Sequence, residues 1–240
     1  MTIDQLAALL LKGMHDTFDL ARRLNDDPDL CIKPEYLKTV KMSEALLSGD
    51  FKGVVRLEQS TSSVVGMSAL PPRDVGFANL ISRAGKVDIV VCFDSRPIVI
   101  VEIKLYVSGF SRIKDDVIRC CEFLSAENKE IEGSIAAAAV TFFWRERRGV
   151  TKLQQKKSAE YSLDGIEQKA SRIIACYNFE FVKKQIVMRE SPYDSMEDSE
   201  KVDDNGVPAD IFEEPITVYA VAYIIFRKDR DTFLQKLQSK

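Results

Sequence analysis

The side chains best placed to do chemistry in this chain lie between Lys86 and Val107. Val87–Phe93 and Ile98–Val107 are apolar, β-branched runs separated by Asp94-Ser95-Arg96-Pro97, which is the pattern of a β-hairpin. In the second run Glu102 and Lys104 stand two apart, so on a strand both project to one side while Val101, Ile103 and Leu105 project to the other. Charge in so apolar a strand is costly unless it serves a purpose. If the turn centres on Ser95, then Asp88, seven residues before it, lies across from Glu102, seven residues after it. Two carboxylates and an ammonium group then converge on one small site.

Converging carboxylates repel each other unless a cation sits between them. A hard divalent ion is the natural occupant, and the expected magnesium ligands are Asp88, Glu102 and the carbonyl of Ile103, with water completing the shell and manganese able to substitute. Lys104 would place positive charge where a phosphorus under attack develops negative charge, and could hold or help deprotonate the attacking water. That combination suits phosphodiester hydrolysis.

Composition narrows the alternatives. With 240 residues, 45% of them hydrophobic and 30% charged, the chain can bury a full core, which excludes a disulfide scaffold and a disordered tail. A lone histidine, His15, makes a histidine triad or a multi-histidine metal site improbable. Five cysteines (Cys31, Cys92, Cys120, Cys121, Cys176) are an odd number without a C-x-x-C pair, and read as reduced thiols, mostly core. Neither a membrane-crossing run of roughly 20 apolar residues nor the order of a signal peptide is visible, so a cytoplasmic chain without a membrane partner is expected. The formal net charge of -3 argues against a protein coated for nucleic acid, but the distribution is uneven. Glu190–Glu214 holds ten acidic residues against Lys201 alone, and with its prolines and glycine it is expected to be a surface loop. Arg145–Lys157 concentrates six basic residues against Glu146, a patch that could face phosphates or simply be a solvated helix start.

The elements that must position the hairpin follow from periodicity. Ile3–Asn25 carries apolar residues at three- and four-residue spacing and reads as an amphipathic helix, which leaves pairing with a second copy, a homodimer, open. Pro34 opens a second helix, Glu35–Ser48, and a strand is expected over Val54–Ser60. The stretch that follows, with Pro71 and Pro72, is a loop in which a short helix or strand stays open. After the hairpin come a helix over Ser111–Ser125, a buried strand over Ser134–Trp144, a polar helix over Lys152–Cys176, and strands over Phe179–Arg189 and Ile216–Arg227. The strands flanking the acidic loop are both apolar enough to need the same sheet, so one domain over residues 1–240 is expected.

Asp88, then Glu102-Ile103-Lys104 on the next strand, with a helix before and a helix–strand pair after, resembles the PD-(D/E)XK nuclease superfamily. The resemblance covers Glu35–Trp144 and implies a restriction endonuclease-like α-β-β-β-α-β core in an α/β (α+β) chain with a mixed central sheet, an N-terminal helix and C-terminal additions. It further implies that Asp88 and Glu102 bind magnesium, that Lys104 assists the nucleophile, and that a glutamate of the first core helix completes the catalytic set. Glu35 looks like that glutamate, with Glu44 the competing choice, and Glu58 matches a further acidic position of some members. Val87 stands where the superfamily name has proline.

Other residues have quieter readings. Asp115 and Arg119 are four apart and are expected to form an ordinary helical ion pair, with Lys114 and Asp116 also structural. Phe143 and Trp144 could stack on bases, but a strand end packing into core is the expected role. Two functions of different class result: a metal-dependent nuclease acting on DNA, or RNA, in restriction, repair or defence, and a nuclease-like domain that no longer cleaves and serves as a nucleic-acid or protein binding module.

Overall fold

The computed structural model describes residues 1–24, 35–49, 53–67, 85–125, 135–146, 151–189 and 217–227. Along the chain these form α1 (Ile3–Leu24), α2 (Glu35–Ser48), β1 (Val54–Ser60), α3 (Thr61–Met67), β2 (Lys86–Phe93), β3 (Arg96–Val107), a 3-10 turn (Phe110–Arg112), α4 (Lys114–Ser125), β4 (Ala137–Glu146), α5 (Lys152–Cys176), β5 (Glu180–Arg189) and β6 (Thr217–Phe226). The six strands make one mixed sheet in the order β1-β2-β3-β4-β6-β5. β3 and β4 are parallel, with α4 in the crossover between them, and every other neighbouring pair is antiparallel. The expected α/β chain with a mixed central sheet is therefore observed. So is the placing of both strands that flank the acidic segment in that sheet, while residues 190–216 themselves lie outside the described residues.

Helices cover both faces. α1 and α2 pack on one side, where Leu6, Leu10, Met14, Met42 and Leu46 meet Ile89, Val99, Val101 and Ile103. On the other side α3, α4 and α5 meet Val90, Ile100, Val140 and Tyr223. Strands roofed on both faces read as continuous apolar runs, as in Ala137–Val140 and Val218–Phe226. The edge strand β1 alternates in exposure, and the other edge strand, β5, is only partly buried and carries Glu180, Lys183 and Lys184, charges that discourage pairing with another sheet. The apolar face of α1, on which pairing with a second copy was expected, is taken up by the chain's own core, with Leu6, Leu10 and Met14 fully buried. That face gives a homodimer no support.

Where α1 crosses α2 the approach is close. A Cβ at Gly13 would lie 2.4 Å from Met42 Cα, so only glycine lets the helices meet at that distance. At the start of α5, Thr151 accepts a hydrogen bond from Gln154 N while Gln154 Oε1 accepts from Thr151 N, a reciprocal cap that sets where the helix begins. Its end is marked by Asn178, with φ 58, in the left-handed conformation that asparagine tolerates.

The hairpin departs from expectation in an instructive way. The turn has two residues, Asp94 and Ser95, both with positive φ, rather than four, and Phe93 pairs directly with Arg96. A β-bulge then inserts one extra residue into β3 beside Val91 and Cys92, and from Val91↔Val99 onward the strands run in the register that points Asp88 toward Glu102. Pro97 sits at this irregularity, one of the few places inside a sheet where a missing N–H is tolerated.

Candidate functional site

Strand alternation places Glu102 and Lys104 on the face covered by α4, because Ile100 lies in the cluster with Val117, Cys120 and Cys121. Glu102 is 2% exposed. Its Oε2 is bound by Arg119 Nη2 of α4, and Arg119 also lies 3.7 Å from Asp116 Oδ1. Lys104 Nζ reaches the same Asp116 oxygen at 3.4 Å. The result is a chain of alternating charge, Glu102, Arg119, Asp116 and Lys104, running from the buried strand outward to a half-exposed ammonium group.

Asp88 joins this site through the backbone. The β2–β3 ladder extends to Ile89↔Val101, and one step further the Asp88 carboxylate, rather than a main-chain carbonyl, accepts the Ile103 N–H at 2.7 Å. The strands thus part where the three residues meet, and alternation from the Val90↔Ile100 pair carries Asp88 to the side of Glu102. On the far side of β3, register against β4 shifts between Lys104 and Val107, where Tyr106 has φ 23. A bulge here re-aims the strand immediately after the lysine.

The electrostatics are those of crowded carboxylates. Burial pushes Glu102 up to about 8; Arg119 opposes this, and the neighbouring Asp88 and Asp116 add to it. Asp116 is raised as well, by burial first, against the pull of Lys104 and Arg119. Glu102 Oε1 and Asp116 Oδ2 are both buried without a hydrogen-bond partner among the described residues. Such an unsatisfied oxygen, beside a second carboxylate, fits a divalent cation held by Asp88, Glu102 and the Ile103 carbonyl. No group of three or more acidic, cysteine or histidine side chains at metal-binding spacing occurs among the described residues, so water would have to fill much of the shell.

The remaining candidates fall elsewhere. Glu35 opens α2, but its side chain lies outside the described residues, and α2 packs on the sheet face opposite Glu102. Among the described side chains, Asp88, Glu102 and Lys104 come together. Glu44 makes a surface ion pair with Lys41 at 2.7 Å, and Glu58 one with Lys86 at 2.9 Å. Phe143 and Trp144 point to opposite faces, Phe143 under Lys38 of α2 and Trp144 into the cluster with α4 and α5. Of the basic patch, residues 147–150 lie outside the described residues.

The ion pair expected between Asp115 and Arg119 is not the one Arg119 makes, and the partnership of Asp116 with Lys104 was not foreseen. Arg119 turns inward to Glu102 and Asp116 instead of pairing with Asp115, because a buried carboxylate on β3 attracts it more strongly than an exposed one on its own helix. A signal was present: Asp116 stands four residues before Cys120 and seven before Phe123, in step with the buried stripe of α4, where a charged residue needs a partner across the interface. Comparison with family models, with curated proteins and with solved structures returns no match. No helix among the described residues is long and apolar enough to cross a membrane.

Proposed function

We propose that this chain is a magnesium-dependent nuclease of the PD-(D/E)XK kind, hydrolysing phosphodiester bonds in DNA or RNA. The observation that carries this reading is the meeting of Asp88, Glu102 and Lys104 at the parted end of β2 and β3, with an orphaned carboxylate oxygen among them. The strand arrangement supports it. Among the described residues a helix, three antiparallel strands, a crossover helix and a parallel fourth strand follow one another along the chain, with the short α3 and a 3-10 turn between them, and the four strands are neighbours in the sheet in that order.

In this reading Asp88 and Glu102 hold the ion, whose contribution when bound is Lewis-acid polarisation of the scissile phosphate and a lowered pKa for its water. Arg119 fixes the Glu102 carboxylate in one orientation, leaving Oε1 without a partner among the described residues and open to the ion. Asp116 restrains Lys104 on its other side, so that the ammonium group of this side chain, 40% exposed as a whole, stands ready for the phosphate oxygens or the attacking water.

One observation favours the non-cleaving alternative: Arg119 already supplies Glu102 with a positive charge. The purified chain, incubated with single- and double-stranded DNA and RNA in magnesium or manganese, separates the two. Cleavage that chelation stops and Asp88→Asn abolishes supports the nuclease. Binding without cleavage in either metal supports the module.

A further inference from the structure

A cavity of about 530 Å³ opens on the same sheet face as Glu102 and Lys104, between the end of β3, the 3-10 turn, Trp144 and α5. Its volume lies in the range of small-molecule sites. Its wall begins at Ser108, four residues past Lys104, so no more than about 14 Å of extended chain separates them. On α5 the lining residues Tyr161, Gly165, Lys169 and Arg172 recur every three or four positions and form one stripe along the helix.

Three features of the wall point to one ligand chemistry. Phe110, Trp144 and Tyr161 provide aromatic surface, and Tyr161 is 83% exposed, a position that packing within the chain does not explain. Lys169 and Arg172 follow one and two turns beyond Gly165 and form no ion pair among the described residues, whereas the bordering Asp164 lies 3.5 Å from Lys183. Gly165 itself is unexplained by packing. It interrupts a 25-residue helix, at a cost of about 1 kcal/mol relative to alanine, yet a Cβ there would meet nothing within 4 Å. Contrast Gly13, where a Cβ would strike Met42. Among the described residues nothing covers the helix backbone at Gly165.

We propose that this cavity binds an unstacked nucleobase with its attached phosphate: the base lies against the aromatic walls above Gly165, and Lys169 and Arg172 take the phosphate. Stacking on aromatics with a cationic track is the general means of holding single-stranded nucleic acid. The inference rests on the nucleic-acid reading of the neighbouring cluster. It gives that reading a preference for single-stranded or frayed substrate.

Trp144 is the only tryptophan, so its fluorescence reports on the cavity wall. With metal chelated, the intact chain is titrated with a single-stranded ten-nucleotide thymidine oligomer, a blunt duplex of equal length and thymidine monophosphate. Saturable quenching by the oligomer at concentrations about tenfold or more below those needed for the duplex is expected. Quenching by the monophosphate as tight as by the oligomer would assign the same chemistry to a free nucleotide. Gly165→Leu, which fills the cavity, and the surface change Tyr161→Ala should each weaken oligomer binding about tenfold or more, while Gly165→Ala should raise Tm. Equal affinity for oligomer and duplex, or unchanged oligomer affinity in folded Gly165→Leu and Tyr161→Ala, overturns the proposal. Binding here without cleavage in magnesium or manganese would leave this inference standing and remove the nuclease; magnesium-dependent cleavage unaffected in both variants would do the reverse.

Discussion

Glu102 of β3 and Arg119 of α4 form an ion pair across the sheet–helix interface, with side chains 2% and 17% exposed. The pair ties the candidate catalytic strand to the helix that roofs it, and its second carboxylate oxygen remains without a partner among the described residues.

Removing one member should expose the cost of the other. Arg119→Met is expected to lower stability by about 2–3 kcal/mol, below the range for fully buried pairs because Glu102 can take up a proton. The double change Glu102→Gln with Arg119→Met should recover most of that loss. Urea denaturation of the unaltered chain and the two variants checks it; a loss under about 0.5 kcal/mol for Arg119→Met would mean the pair contributes nothing of note.

The roles of Glu102 and Lys104 should separate in metal titrations of cleavage. Glu102→Gln deletes a formal charge from the ion's shell, and its defect should shrink as magnesium rises or manganese replaces it. Lys104→Ala should slow the chemical step, on the order of a hundredfold, at every metal concentration, because no second ion restores a positioned ammonium group. Identical metal dependence in the two variants would contradict this division.

Gly13→Ala tests the crossing of α1 and α2. Alanine favours a helix over glycine by about 1 kcal/mol, but here the added methyl would meet Met42 backbone atoms at 2.4 and 2.9 Å. A net loss of about 2 kcal/mol or more is expected, read as a lower urea midpoint. Stabilisation would show that the helices part easily.

Thiol chemistry should follow burial. Cys121 is pushed up to about 12, by burial first and by Glu122 next, and Cys92 and Cys120 are raised by burial too, whereas Cys176 is exposed. Raised values mean less thiolate at pH 8, so site-resolved mass spectrometry after brief iodoacetamide treatment should find Cys176 labelled and Cys92, Cys120 and Cys121 protected. Labelling of Cys120 as fast as Cys176 would indicate that α4 opens readily.

Much of this was written locally in the chain. Period-two alternation alone sets Glu102 and Lys104 side by side, and the helices expected over Glu35–Ser48, opened by Pro34, and over Lys152–Cys176 are observed with those ends, because both features depend on local backbone geometry. The register between β2 and β3 is different. With its two-residue turn and no bulge, the hairpin would set Asp88 across from Val101, on the face away from Glu102; the extra residue near Val91 and Cys92 restores the shared face. Placing the turn on Ser95 led to the same pairing without foreseeing the bulge. Which helix roofs which face was equally out of reach. The partnership of Glu102 with Arg119, the packing of α2 on the side away from that pair, and the cavity above Gly165 all join residues distant in sequence. Local periodicity says which side of an element is apolar, but only the assembled layers decide what that side meets.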